Sequence, residues 1–260
     1  MESVTSPDGA RITWHTQGHG LPLLLVHGTT ADHTRWDGII PQLARQFTVH
    51  SIDRRGRGES TDGDNYQLQR EAEDVAAVIE AIGGRVALLG HSYGAVCTLE
   101  GSLLTSGIDR MVLYEPPIPT GVPMYPPGLP DRMQSSIEEG HYEAAVEMFF
   151  REVVRMPDDE FVGYRQLPVW KRRVALAPTI PREMAIDRAY SFEPEKYADL
   201  QTPTLLLLGG DSPTMFQRAV ATVHEALPNS TLNVLPGQQH IAMDTNPELF
   251  LSEVNRYLGG

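Results

Sequence analysis

The stretch RVALLGHSYGAVCTLEGSLL, residues 85–104, holds Ser92 between Gly90 and Gly94. An unbroken apolar run precedes the serine and a helix-like run follows it. A short apolar run bounded by glycine reads as a strand buried on both faces, so Ser92 falls at a strand-to-helix turn. A nucleophile at such a turn is held in a strained backbone conformation, and a glycine two residues to either side gives the turn its room. The helix that starts at the serine aims its free N–H groups at negative charge developing on a substrate. Gly-x-Ser-x-Gly alone is a weak pattern; the strand before it and the helix after it give it weight.

Similar apolar runs occur at LPLLLVHG (21–28), FTVHSID (47–53), MVLYE (111–115), TPTLLLLGG (202–210) and TLNVLPG (231–237). Helical stretches separate them, and this alternation predicts an α/β fold with a mostly parallel sheet covered on both faces. Pro7-Asp8-Gly9, between the alternating segments ESVTS and ARITWHTQG, predicts an N-terminal hairpin. LQREAEDVAAVIEAIGG (68–84) is the clearest helix, with Val75, Val78, Ile79 and Ile82 on one face and a glycine stop. PELFLSEVNRYLGG reads as a closing helix.

Residues 116–201 break the rhythm. They open with seven prolines between Pro116 and Pro130 and contain helical pieces such as HYEAAVEMFFREVV, but no convincing buried strand. A structureless loop of that length is foreign to a compact domain. Met148, Phe149, Phe150, Trp170 and Tyr190 suit burial, so the segment is expected to be a helical cap over a core made of residues 1–115 and 202–260.

Composition bounds the function. The 260 residues suit one α/β domain with an insertion. The net charge of −13 opposes binding to nucleic acid and to anionic membranes. No run approaches the ~20 apolar residues of a membrane span, and the N-terminus lacks the pattern of a secretory signal. The expected location is cytoplasmic and the expected partner a small molecule, with a monomer and a homodimer equally compatible. Cys97 is the single cysteine, which excludes a disulfide framework and points to buried helix filler. No metal motif and no phosphate-binding glycine loop is present, so no cofactor is expected.

The chain resembles the α/β-hydrolase fold family nearly end to end. The resemblance rests on His27-Gly28, DRRGRGES (53–60), the Ser92 turn, LYEPP (113–117), GGDSP (209–213) and GQQHIAMD (237–244), in family order. It implies an eight-stranded sheet, a cap after the sixth strand, and a triad of serine, acid and histidine in that chain order. His240, after the last strand, is then the base. The oxyanion hole would use the backbone N–H groups of Tyr93 and Thr29, with Thr30 the near alternative. His27 is expected beside the substrate, orienting the oxyanion loop, His91 under the turn, and Trp36 at the entrance. DRRGRGES is assigned a structural role, and Asp244 with Thr245 the capping of the last helix.

Two carboxylates compete for the third triad position. The resemblance points first to the turn after the seventh strand, but counting from Pro203 puts Ser212 where the acid belongs, and Asp211 falls one residue short. Glu115 ends the sixth strand, where a minority of the family, including some lactone hydrolases and dehalogenases, carry the acid. Glu115 is favoured, with Asp211 the alternative.

Serine at the turn fits attack on a carbonyl and excludes chemistry that needs a carboxylate nucleophile at saturated carbon. The expected reaction is hydrolysis of an ester or lactone with an apolar or aromatic part, through an acyl-enzyme. The alternatives are a cofactor-free C–C bond hydrolase or lyase on the same fold, and a non-catalytic small-ligand receptor.

Overall fold

The computed structural model describes residues 1–63 and 65–259, with the backbone alone at 186–188; Asp64 and Gly260, inside the two expected core segments, lie outside the described residues. Eight strands are present among them: β1 (Glu2–Thr5), β2 (Arg11–Gly18), β3 (Leu21–Val26), β4 (Phe47–Asp53), β5 (Val86–His91), β6 (Ile108–Tyr114), β7 (Thr204–Gly209) and β8 (Ser230–Leu235). They form one sheet in the order β1-β2-β4-β3-β5-β6-β7-β8. The Pro7-Asp8-Gly9 turn closes with Gly9 N–H on the Ser6 carbonyl at 2.9 Å, and β1 pairs antiparallel with β2. β2 is also antiparallel to β4; every pairing from β4 to β8 is parallel.

Alternation along each strand divides the apolar residues between two cores, because successive side chains point to opposite faces. Leu23 and Leu25 join one cluster with Trp36, Phe47, Leu205 and Phe250. Leu24 and Val26 join the other with Val75, Val78, Ile79, Val96 and Phe216. The helices are α1 (Ile40–Leu43), α2 (Leu68–Ile82), α3 (Tyr93–Gly101), α4 (Leu129–Glu138), α5 (Tyr142–Met148), α6 (Asp158–Tyr164), α7 (Val169–Ala175), α8 (Ile180–Ala189), α9 (Thr214–Ala226), α10 (Ala242–Thr245) and α11 (Pro247–Leu258). α2 stops at Gly83, whose φ of 79° is readily open to glycine alone.

Between β6 and β7 the described residues form helices α4–α8 and no strand. Leu129, Met133, Val146, Phe150, Phe161 and Trp170 pack into the same cluster as the face of the sheet that carries Leu23 and Leu25. The end of the segment packs on the opposite face: Tyr197 is fully buried there, and the hydroxyls of Tyr190 and Tyr197 donate to Glu100 Oε1 at 2.5 and 2.6 Å. α8 is tied to the core by ions. Glu183 accepts from Arg54 and Arg57, and Arg182 pairs with Asp62.

Two expectations change. TLNVLPG was expected to be buried on both faces, but β8 is the sheet's edge and only Leu235 of it is buried. Asp244 and Thr245 do not cap the last helix: Asn246 does, its side chain accepting from Leu249 N–H at 3.1 Å, while Asp244 pairs with Arg35. In DRRGRGES, which is assigned a structural role, the three arginines are buried and ion-paired. Arg54 forks onto Glu71 at 3.0 and 2.9 Å, and Arg55 onto Asp74 at 2.7 and 2.8 Å.

Candidate active site

β5 sits between β3 and β6, with Gly90 opposite Val26 on one side and Leu113 on the other. Its C-terminal end therefore meets the ends of both neighbours, the place where parallel sheets hold ligands. Ser92 follows directly, with φ 55° and ψ −130°, and its N–H bonds the Tyr114 carbonyl at 2.9 Å. Such a backbone costs about 1–3 kcal/mol and persists where its surroundings impose it. The flanking glycines are that imposition. A Cβ on Gly90 would lie 2.7 Å from Ala95 Cα, and one on Gly94 2.3 Å from the His27 carbonyl oxygen. Without side chains at these positions, α3 packs directly on β5 and β3.

Glu115 occupies the next strand end, fully buried and with φ 48°. Its Oε2 lies 2.6 Å from His240 Nδ1, and its Oε1 accepts from Gly209 N–H at 2.7 Å and Ser212 Oγ at 2.5 Å. The carboxylate thus fixes His240 with Nδ1 as donor, leaving Nε2 free to accept a proton. Asp211 is exposed, and its backbone N–H, not its carboxylate, is engaged, bonding the Gln238 carbonyl at 2.9 Å.

The imidazole of His240 is held on every side. It stacks on Phe216 at 4.2 Å between ring centres and 19° between planes. Tyr114 Oη donates to the Gln239 carbonyl and accepts from Ala242 N–H at 3.1 Å, pinning the loop on both sides of the histidine. Burial, with the charge of Glu115 beside it, pushes the Tyr114 phenol well above its ordinary range, so it stays a neutral donor. His91 Nε2 donates to the His240 carbonyl at 2.8 Å. Burial, then the neighbouring His240 and Arg35, holds His91 well below the usual histidine range, and it is neutral.

Ser92 and His240 line one narrow cavity with Gly28, Thr29, Ala31, Arg35, His91, Phe149, Phe150, Val154, Arg173 and Ile241. Its volume of about 20 Å³ is room for little more than a water. Among the described residues neither Ser92 Oγ nor His240 Nε2 has a hydrogen-bond partner, and both residues line this space. Tyr93 starts α3, so its N–H is one of the helix amides without an intrahelical acceptor. The β3 loop approaches closely: a Cβ on Gly28 would lie 2.8 Å from Ser92 Cβ. Thr30, with φ 56°, turns that loop so that Thr29 faces the cavity. A π-helical turn, Phe149–Val154, extends α5 and presents Phe149, Phe150 and Val154.

Two expected substrate contacts lie elsewhere. His27 is fully buried beneath the loop, its Nδ1 donating to the Gly28 carbonyl at 2.9 Å and its Nε2 accepting from Arg54 N–H at 3.2 Å. With both nitrogens used, it has nothing to offer a substrate. Trp36 is also fully buried, in the apolar cluster under the site and edge-on to His91 rather than at an entrance. Sequence reasoning missed Arg35 and Arg173, both buried and both on the cavity wall. Among the described residues one group, His15, His33 and Asp53, brings potential metal ligands within 4.8 Å of one another. Asp53 Oδ1 is there already engaged by His33 N–H and Nδ1 at 3.0 and 2.8 Å.

A model of the alpha/beta hydrolase family matches residues 23–253. The chain belongs to that family. An α/β hydrolase from Sphaerobacter thermophilus is similar over 97% of this chain and 99% of its own, at 32% identity and a TM-score of 0.84. The 2-(acetamidomethylene)succinate hydrolase of Mesorhizobium japonicum is 24% identical over 268 residues, 96% of this chain and 93% of that relative. The probable oxidoreductase EphD of Mycobacterium tuberculosis is 35% identical over 118 residues, 43% of this chain; the chain spans only 20% of that relative's length. No helix among the described residues is long and apolar enough to cross a membrane.

Proposed function

We propose that this α/β hydrolase is a serine hydrolase that cleaves a carboxylic ester or lactone through an acyl-enzyme on Ser92. The observation that carries the reading is a single constellation. Ser92 sits on a strained turn at a helix N-terminus, facing a cavity shared with His240, whose Nδ1 is 2.6 Å from Glu115. His240 Nε2 takes the Ser92 proton as Oγ attacks the carbonyl carbon. The N–H groups of Thr29 and Tyr93 receive the oxyanion, and Glu115 balances the imidazolium. The proton passes to the leaving alkoxide; water, deprotonated by His240, then releases the acid. Phe149, Phe150, Val154 and Ile241 support an apolar part in the substrate.

The small cavity volume supports a cap that opens for entry, with α4–α7 moving more readily than α8, which the Glu183 and Arg182 ion pairs tie down. The test is intact-mass analysis after treatment with a fluorophosphonate. A single adduct on wild type that is absent in Ser92→Ala is expected; an unlabelled wild type would refute the reading.

A further inference from the structure

The chain is strongly acidic, yet among the described residues that line the cavity the charged side chains, histidines aside, are the two cations Arg35 and Arg173. Arg35 is 6% exposed and Arg173 4%. Arg35 spends Nη1 on Asp244 at 2.8 Å, while its Nε and Nη2 are buried without a hydrogen-bond partner. Those two N–H groups form one edge of the planar guanidinium and point in parallel, the geometry that receives both oxygens of a carboxylate. Arg173 pairs with no carboxylate among the described residues. Its Nε donates to Tyr164 Oη at 2.6 Å and its Nη1 to Thr30 Oγ1 at 2.9 Å, and its Nη2 has no partner among them.

A buried, unpaired donor is costly to leave in place. Here the donors belong to cations on the wall of the cavity that holds Ser92. The partners already in place use only part of each cation: Asp244 takes one nitrogen of Arg35, and Tyr164 and Thr30 take two of Arg173. We propose that the substrate carries a second, ionised carboxylate besides the bond that is cut, and that the free Nε–Nη2 edge of Arg35, aided by Nη2 of Arg173, receives it. The substrate class is then a half-ester, or a comparable monoacyl derivative, of a small dicarboxylic acid. This rests on the serine-hydrolase reading and deepens it. Arg173 also holds the Thr29 and Thr30 carbonyls, each at 3.3 Å, so Arg35 is the cleaner position to test.

The experiment compares kcat/KM for monoethyl succinate, glutarate and adipate with neutral ethyl esters in which a methyl ketone replaces the free acid. In parallel, the free dicarboxylates and their diamides are tested for slowing of fluorophosphonate labelling at Ser92. The expected result is a preference for the anionic member of a pair by about 10- to 100-fold, the range of charge-assisted hydrogen bonds. Dicarboxylates should protect Ser92 where diamides do not, and both discriminations should collapse in Arg35→Gln and recover only in part in Arg35→Lys, which restores charge without the fork. Asp244 is partly solvent-exposed, so Arg35→Gln leaves it hydrated, and labelling of the variant reports that its site has folded. If wild type is labelled but treats charged and neutral partners alike, or if Arg35→Gln keeps the discrimination, the proposal is overturned while the hydrolase reading stands. A wild type that is not labelled overturns the hydrolase reading, and this one with it.

Discussion

Replacing Glu115 by glutamine keeps the volume of the side chain and removes its charge. Glutamine can still present one oxygen to Gly209 N–H and Ser212 Oγ, which the native Oε1 accepts at 2.7 and 2.5 Å. Its amide then falls where Oε2 meets His240 Nδ1. An amide donates, so Nδ1 must become the acceptor and the ring proton moves to Nε2, the atom that should take the proton from Ser92. The variant holds the right shape with the wrong tautomer and has no anion opposite the imidazolium. Losses of that kind amount to about 10⁴ in kcat, or roughly 5 kcal/mol of transition-state stabilisation. Asp211→Asn alters an exposed carboxylate without a role at the imidazole and should change activity by less than about threefold, the range of ordinary surface substitutions. The assay is the rate of fluorophosphonate labelling at Ser92, followed by mass, with steady-state hydrolysis of a reactive ester alongside. Equal losses in the two variants, or a larger loss in Asp211→Asn, would refute the argument.

Three further outcomes follow from the same geometry. Gly94→Ala places a methyl group 2.3 and 2.4 Å from the carbonyl oxygens of His27 and Val26, main-chain atoms that cannot rotate away; urea unfolding should show a loss of about 3 kcal/mol. Tyr114→Phe removes the hydroxyl that pins Gln239 and Ala242; stability should fall by about 1–3 kcal/mol, and kcat should fall more than KM changes because His240 loosens. Burial alone would raise Glu71, but Arg54 and Arg57 hold it down, from 4.5 to about 2. A carboxyl depressed in the folded state contributes stability that is present above its unfolded value and lost as pH falls through the folded one. Urea titrations should therefore show about 3 kcal/mol lost between pH 4.5 and 2, at roughly 1.4 kcal/mol per unit, and Glu71→Gln should lack that slope.

Elements governed by local pattern were legible in the sequence. The buried strands read from unbroken apolar runs, the N-terminal hairpin from Pro7-Asp8-Gly9, and the Ser92 turn from its two glycines, because each needs only neighbours along the chain. Features that depend on distant partners were not. TLNVLPG looks like LPLLLVHG in composition, and only the strand order makes β8 an edge. Nothing in the local pattern says what Glu71 and Asp74 would meet, yet both are buried because Arg54 and Arg55 come to meet them. The count that put Ser212 in the seat of the acid carried more information than it seemed to. A serine there is too short and uncharged to serve the histidine, but its hydroxyl donates to Glu115 and helps fix that carboxylate from the neighbouring strand end. The displaced acid and the serine in its place thus form one arrangement. Arg35 and Arg173 show the limit most sharply: in DHTRWDG and VWKRRVA they look like ordinary surface cations. What sets them apart is a place on the cavity wall and, for Arg35, two buried donors without acceptors, which no spacing along a chain can report.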